Sequence, residues 1–189
     1  MRKLLAIAAV VVLGIGATAW AEEIKSGPQV GDEVGAYDVT KAAGAPNDGV
    51  SVGMSLCYRC KLGQAPVVMV FARKPDAKLA KLTHELDKVV ADNAEKKMGS
   101  FVSLLGSDAA ALKKEAHEFV ASNKLKNIAF VVPDDQPNGP KEYNLNSKAD
   151  VTVLIYRNGK VAANHAFAAG GLNDEAIAKI VADTSKILN

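Results

Sequence analysis

Residues 66–79 read PVVMVFARKPDAKL, and the run VVMVFA at 67–72 is the most strand-like stretch of the chain. Six consecutive apolar residues directly after Pro66 are typical of a central strand that is buried on both faces. The residues that follow are polar, and Asp76 comes directly after Pro75, where it can cap a helix. The stretch therefore predicts a buried strand that leads into a helix, which is the first half of a βαβ unit.

The segments that follow this strand alternate between helical and strand-like patterns. Apolar residues recur at three- and four-residue steps over residues 78–94, which predicts an amphipathic helix. Apolar runs predict two further strands at 101–105 and 128–132, and Ser107-Asp108 between them is placed to cap a second helix. Alternating strands and helices imply parallel strands with helices packed on the sheet.

The last part of the chain predicts a hairpin and a closing helix. VTVLIY at 151–156 and KVAANHAF at 160–167 are separated by a turn that contains Asn158-Gly159, a strong signal for a β-hairpin. Asn173 is placed to cap a helix with a single apolar stripe that continues to the C-terminus. Because a hairpin adds antiparallel strands to the parallel ones, we predict an α/β fold with a mixed central sheet.

The N-terminus carries the pattern of an export signal. Residues 1–21 combine a basic start, an apolar stretch and the small-residue ending AWA at 19–21, so we expect cleavage before Glu22. The apolar stretch is shorter than the roughly 20 residues of a membrane span. We therefore expect an extracytoplasmic protein, periplasmic or secreted, that has no membrane association once the signal is removed.

Residues 22–65 are less regular than the rest of the chain. VGDEVGAYDVT at 30–40 predicts a short strand, and AAGAPNDG at 42–49 predicts a turn-rich loop. We expect 22–65 to be an N-terminal extension with short strands and a cysteine-containing segment. Residues 66–189 would form the main domain, as one globular unit with the extension.

The balance of charge excludes several classes of partner. Without Arg2 and Lys3 of the predicted signal, the 23 basic residues become 21, equal to the 21 acidic residues. A balanced surface lacks the clustered Lys and Arg of proteins that bind nucleic acids or anionic membranes, so neither partner is expected. The sequence contains no phosphate loop, dinucleotide fingerprint, serine nucleophile elbow or zinc-protease motif, and no cofactor is expected.

The predicted order of elements resembles the thioredoxin superfamily, in particular its branch of exported thiol-disulfide oxidoreductases and alkyl hydroperoxide reductases. The resemblance is carried by the opening VGD with YDV, the strand PVVMVFA, the segment 133–161 and the capped terminal helix. It covers almost the whole chain after the predicted signal. It implies a thioredoxin-like mixed sheet flanked by helices, and chemistry performed by cysteines.

Two departures from this family count against its usual activity. The family places its active cysteines just after the first central strand, but the matching residues ARKPDAKL at 72–79 contain no cysteine. Peroxidase chemistry of the peroxiredoxin type is therefore not expected. The family also has a cis-proline before the hairpin strand, where this chain has Val151. A cis bond without proline costs about 2.5–4 kcal/mol, so a trans bond is expected there.

Both cysteines of the chain lie on the N-terminal side of the central strand, in SLCYRCKLG at 55–63. This segment predicts a short helix, in which Ser55 caps the start and Gly63 ends the helix. The link from Cys60 to Val67 can span about 24 Å if extended, and a five-residue strand is about 17 Å long. The loop can therefore fold back to the family's usual active pole, although a simpler path leaves it at the opposite one.

The local sequence around the cysteines suits a dithiol site. Three-residue spacing places Cys57 near the start of the predicted helix and Cys60 on the same face. The positive end of the helix, together with Arg59 and Lys61, would favour a thiolate at Cys57. Our leading hypothesis is thiol-disulfide exchange with a protein thiol or disulfide partner, in which Cys57 is the nucleophile and Cys60 the resolving thiol.

Two alternatives remain open at the level of sequence. The cysteines can form a structural disulfide on a redox-inactive thioredoxin-like scaffold or binding protein. A loop of four residues would then contribute only about 2 kcal/mol, which makes this pair a weak staple. Alternatively, Met54, Cys57 and Cys60 form a soft ligand set that suits Cu(I), whereas zinc would need two further ligands.

Overall fold

A computed structural model describes residues 24–133 and 137–189 of the chain. The predicted export signal at 1–21 lies outside these residues. The seven strands described are β1 (Val39–Gly44), β2 (Ser55–Leu56), β3 (Val67–Ala72), β4 (Gly99–Leu104), β5 (Ile128–Pro133), β6 (Val151–Arg157) and β7 (Lys160–Phe167). The α-helices described are α1 (Tyr58–Leu62), α2 (Ala77–Asp92), α3 (Ala109–Asn123), α4 (Asp174–Asp183) and α5 (Ser185–Leu188).

The strands form one mixed sheet in the order β2-β1-β5-β4-β3-β6-β7. Strands β3, β4 and β5 are parallel, whereas β6 is antiparallel to β3, β7 is antiparallel to β6, and β1 is antiparallel to β5. Val70 lies at the centre, opposite Val102 of β4 and Val153 of β6. This arrangement confirms the predicted α/β fold with a mixed central sheet.

Most elements predicted after Pro66 are observed with small shifts of their ends. Asp76 caps α2 as predicted, because its carboxylate accepts hydrogen bonds from the backbone N–H groups of Lys78 and Leu79, both at 2.9 Å. The predicted single closing helix is instead divided into α4 and α5 at Thr184. The hydroxyl of Thr184 donates to the carbonyl of Val181 at 2.7 Å, a side-chain bond that competes with regular helical bonding.

The N-terminal extension differs from its prediction. The strand expected at 30–40 begins only at Val39, and it continues through residues predicted as loop to Gly44. Residues 24–34 instead run along the outer side of β7, where Gly31 N–H donates to Val161 O at 2.9 Å. Backbone pairing across the sheet therefore overrides the local turn signals. The proposed divisions of the chain at residues 21 and 65 stay predictions.

The long helices all pack on the same face of the sheet. The two crossovers, β3-α2-β4 and β4-α3-β5, step along the sheet in the same direction, so their shared right-handedness puts α2 and α3 on one side. Helix α4 joins them, and apolar residues from the three helices share one buried cluster with one side of the strands. Its helical members include Leu79, Leu82, Leu86, Leu112, Phe119, Ile177 and Ile180.

The opposite face is covered by shorter segments. These segments are residues 34–37 and helix α1 of the N-terminal extension and the loop at 137–149, and they contribute the buried residues Val34, Tyr58 and Tyr143. Tyr58 stacks on Phe101 of β4 with ring centroids 5.4 Å apart, and Tyr143 contacts Phe71 of β3 edge-to-face at 5.4 Å. The helix that carries the cysteines is therefore part of the hydrophobic cover of the sheet.

Among the described residues, no helix is both long enough and apolar enough to cross a bilayer.

The close approach of β1 and β5 yields a prediction on stability. Gly44 has a φ of 78°, and a Cβ at this position would overlap the carbonyl oxygen of Ile128. Gly49 has a similar φ of 76° with open space around it, so it is the matched control for the backbone conformation alone. We expect Gly49→Ala to lower the free energy of unfolding by about 1–2 kcal/mol.

Gly44→Ala should cost about 1–3 kcal/mol more than Gly49→Ala, because the strands must separate to admit the methyl group. Urea unfolding of the two variants and the unaltered protein measures this difference. Equal losses in the two variants would contradict the close approach of β1 to β5.

Candidate functional site

The cysteine segment follows directly from the edge strand β2. Ser55 and Leu56 pair with Thr40 and Val39 of β1, so the backbone is still extended when it reaches Cys57, at φ −91° and ψ 101°. The predicted cap at Ser55 is wrong, because pairing with β1 holds this residue in the strand. Cys57 itself caps α1, and its Sγ accepts a hydrogen bond from the N–H of Cys60 at 3.0 Å.

Helix α1 is short because both of its ends are fixed. Gly63 ends it, as predicted, with a positive φ of 56°, and its N–H donates to Arg59 O at 3.1 Å. Cys57 and Cys60 are joined by a disulfide, with their Cα atoms 5.2 Å apart, inside the usual range for such bonds. Cys60 is exposed to solvent and Cys57 is half-buried. The disulfide thus lies at the surface.

Tyr58 anchors α1 to the sheet. It is the buried residue of the helix, and its ring lies on Phe101. Its hydroxyl donates to Oδ2 of Asp48 at 2.6 Å. Burial, followed by the hydrogen bond and the charge of Asp48, raises the pKa of Tyr58 well above that of an ordinary phenol. The hydroxyl therefore stays protonated and remains a donor to the carboxylate.

Asp48 belongs to a buried ion pair with Lys41. The Lys41 side chain is only 1% exposed, and its Nζ lies 2.7 Å from Oδ1 of Asp48. The same Nζ donates to the carbonyls of Ala45 and Val50 at 3.0 and 2.8 Å, which uses all three ammonium hydrogens. Lys41 therefore closes the loop between β1 and β2 and fixes the carboxylate that holds Tyr58.

This network was not found from the sequence. Lys41 reads as a surface residue, since lysine is almost never fully buried unless it is paired. The one local signal is Asp48-Gly49, which marks a turn but does not name a partner for the carboxylate. The three residues of the network are separated by up to 17 positions, and only the hairpin between β1 and β2 brings them together.

The neighbours of α1 show which end of the sheet it covers. Leu62 packs over Gly99, the first residue of β4, and a side chain at Gly159 would meet the Arg59 guanidinium. Gly159 lies in the turn between β6 and β7, beside the start of β3. The helix therefore covers the amino-terminal half of β3 and β4. The loop takes the simpler of the two predicted paths and does not fold back to the carboxyl end of β3.

The carboxyl end of β3 is occupied by structural contacts. Arg73 follows the strand, and its Nε and Nη1 donate to the carbonyls of Ala149 and Pro137 at 3.0 and 3.1 Å. Val151, at the position of the family's proline, pairs with Ala72 in the sheet. Here Arg73 ties the end of β3 to the loop that precedes β6. The segment 72–79, where the family has its cysteines, contains none in this chain.

The predicted auxiliary residues lie in different surroundings. Lys61 is exposed on α1. The Nε of Arg59 donates to Val34 O at 2.9 Å. Burial raises the pKa values of the Tyr143 and Tyr156 phenols, and the nearby charge of Arg59 offsets part of that rise. The predicted effect of Arg59 and Lys61 on Cys57 stays a prediction.

The copper hypothesis requires the reduced cysteines. Met54 is 54% exposed next to β2, and the two sulfurs bond to each other in this structure. Within 24–133 and 137–189, no group of three or more His, Cys, Asp or Glu side chains is arranged to hold a metal ion. Cu(I) binding by Met54, Cys57 and Cys60 stays a prediction for the reduced protein.

Comparison with solved structures shows a thioredoxin-like fold. A proposed protein disulfide isomerase from Bacteroides thetaiotaomicron superposes with a TM-score of 0.63 at 14% identity, covering 87% of this chain and 94% of that one. A proposed thiol:disulfide interchange protein DsbE from Chlorobium tepidum gives 0.55 at 17% identity, covering 83% and 99%. AhpC from Mycobacterium tuberculosis gives 0.58 at 15% identity, covering 83% and 91%.

No family model matches the sequence, and no curated protein matches it. At identities of 14–17%, the structural likeness establishes the fold and leaves the activity to be argued from the site. The thioredoxin-like fold predicted from the sequence is confirmed.

The Lys41–Asp48–Tyr58 network yields a prediction on stability. Asp48→Asn leaves the buried Lys41 ammonium without its counter-charge, so we expect the free energy of unfolding to fall by about 3–5 kcal/mol. Tyr58→Phe keeps the ring on Phe101 and removes one bond to a carboxylate, which should cost about 1.5–3 kcal/mol. Urea unfolding of the oxidised proteins measures both losses. A loss for Asp48→Asn no larger than that for Tyr58→Phe would contradict the role of the ion pair.

Proposed function

We propose that this protein performs thiol-disulfide exchange through Cys57 and Cys60. The proposal is carried by one observation: the disulfide lies at the surface, with Cys60 exposed, and closes a loop of only four residues. By the loop-entropy model such a closure stabilises the fold by only about 2 kcal/mol. Helix α1 is already held by Tyr58 and its partners, so the fold has little need of the disulfide as a staple.

The hydrogen bond between Cys60 N–H and Cys57 Sγ supports Cys57 as the nucleophile. In the reduced protein this donor favours the thiolate of Cys57, because a hydrogen bond to the charged form stabilises it. The exposed Lys61 adds positive charge one turn away along α1. Arg59 contributes less, since its guanidinium is directed towards Val34.

The exchange proceeds in two steps. The Cys57 thiolate attacks a partner disulfide, so that one partner sulfur bonds to Cys57 and the other leaves as a thiolate. The Cys60 thiolate then attacks the sulfur of Cys57 and releases the second partner thiol. The partner has gained two electrons, and this protein ends with the disulfide seen in the structure. A dithiol donor reverses the sequence and restores the reduced pair.

The contacts at the carboxyl end of β3 favour a second function. Arg73 lies at the start of the segment 72–79, which matches the family's cysteine site and has no cysteine, and its side chain holds the backbone there. A chain without cysteines at this pole can serve as a redox-inactive scaffold or binding protein, with Cys57 and Cys60 as a local staple. The reduction potential of the pair separates the two functions.

The potential should lie in the range of thiol-disulfide exchangers, about −270 to −120 mV, because the exposed four-residue loop adds little stability to the disulfide. It is measured by equilibrating the protein in glutathione buffers, alkylating free thiols and determining the mass. A potential below about −300 mV would contradict exchange and favour the scaffold.

Single-cysteine variants assign the roles of the two sulfurs and act as the control. Reduced Cys60→Ser should form a mixed disulfide with oxidised glutathione that persists, because the resolving thiol is absent. Reduced Cys57→Ser should react at least about tenfold more slowly, because Cys60 has no comparable backbone donor. Equal rates for the two variants would remove the support for Cys57 as the nucleophile.

We also propose that the protein is exported to an oxidising compartment. The support is the signal pattern at 1–21 and the presence of a disulfide. We expect protein recovered from the extracytoplasmic fraction of expressing cells to begin at Glu22 by intact mass. Recovery of the uncleaved chain from the cytoplasm alone would refute export.

A further inference from the structure

The edge of the sheet next to the disulfide has backbone groups directed outwards. Strand β2 is the terminal strand of the described sheet, and Ser55 lies opposite Thr40 of β1. Lys41 N–H donates to Met54 O at 2.9 Å, one residue away from this pair. Since bonded and non-bonded pairs alternate in antiparallel strands, Ser55 belongs to a non-bonded pair. Its N–H and C=O therefore point away from β1.

The same outward edge continues into the cysteine segment. Cys57 is two residues beyond Ser55 and still has extended backbone, so its N–H has the same outward direction. Its carbonyl already accepts the N–H of Lys61 at 2.9 Å, as the start of α1. An incoming strand therefore finds three backbone groups, from Ser55 and Cys57, that end at the redox pair.

The edge is also apolar at its outer positions. Val52 and Met54 are 63% and 54% exposed, and they lie within the three residues before β2. Among the described residues, one other large apolar side chain, Val30, is comparably exposed, and it lies beside β7 at the opposite edge of the sheet. That opposite edge is covered by residues 24–34, which form backbone hydrogen bonds with β7. An extended chain thus finds its open edge beside the disulfide.

We propose that the outer edge of β2 binds an extended polypeptide segment as an added strand and so brings a substrate cysteine to Cys57. This inference rests on the proposed exchange function. Adjacent strands lie about 4.8 Å apart, so a residue opposite Cys57 has its side chain within reach of the Cys57 sulfur. The outward backbone groups of β2 supply affinity, and Val52 and Met54 contact alternate side chains of the bound segment. The Cys57–Cys60 pair selects a segment that carries a cysteine.

The test compares a strand-forming substrate with a small one. The peptide probe has seven residues, alternating threonine and valine around a central cysteine that is joined to glutathione as a mixed disulfide. Oxidised glutathione is the small substrate. A third probe is the same peptide with an N-methyl group on the second residue after the cysteine, whose N–H faces the Ser55 carbonyl when the peptide pairs antiparallel to β2. The rate at which the reduced protein loses its thiols is measured with each probe by alkylation and mass.

We expect the peptide to react at least about tenfold faster than oxidised glutathione, and N-methylation to remove most of this preference. Ser55→Pro removes the outward N–H without touching the ladder to β1, and Ser55→Ala is its matched comparison because it loses only the hydroxyl bond to Thr40. The peptide preference of Ser55→Pro should fall about tenfold below that of Ser55→Ala. Met54→Gln should lower the preference as well, and Val30→Gln should not.

Three results would overturn the inference. Equal rates for the peptide, the methylated peptide and oxidised glutathione would leave exchange intact and remove the docking edge. No reaction with any probe would refute the proposed function, and the docking edge with it. A dimer in solution that Ser55→Pro dissociates would mean that a second copy of this chain occupies the edge.

Discussion

The sheet has two apolar faces, and in the described part of the chain its connectivity places the three long helices on one of them. Two crossovers that step in the same direction place α2 and α3 together, and α4 joins them on that side. The exposed apolar surface of the other face must then be covered by short segments. Tyr58, stacked on Phe101 and bonded to Asp48, holds one of these segments in place. The position of the two cysteines follows from this requirement.

The same requirement separates the disulfide from the stability of the fold. Tyr58 and Leu62 fix the inner side of α1, and Gly63 fixes its end. Cys57 and Cys60 add a short covalent loop on the outer side of a helix that is held without it. At the carboxyl end of β3, Arg73 supports the backbone through its hydrogen bond to the Ala149 carbonyl. The fold is thus thioredoxin-like, while its cysteine pair belongs to the segment that covers the amino-terminal half of β3 and β4.

Patterns that depend on neighbours in sequence were predicted well. Apolar runs gave the central strands, Asp76 gave the start of α2, and Asn158-Gly159 gave the hairpin. Features that depend on distant partners were not predicted. Ser55 looked like a helix cap, but pairing with Thr40 keeps it in a strand. No pattern in the sequence singled out Lys41, whose ammonium group is surrounded by Asp48 and two carbonyls. Spacing alone also left two paths open for the cysteine segment, which the packing of Leu62 over Gly99 decides.

We infer that the fold and the Cys57–Cys60 disulfide stabilise each other only weakly. A thermodynamic cycle links this coupling to the reduction potential, since about 1.4 kcal/mol corresponds to about 30 mV for a two-electron couple. The most direct measurement is therefore urea unfolding of the fully oxidised and fully reduced protein at equal pH. We expect the oxidised form to be more stable by about 2 kcal/mol and both forms to unfold cooperatively. A reduced form that is unfolded in buffer, or weaker by more than about 5 kcal/mol, would show that the disulfide is structural.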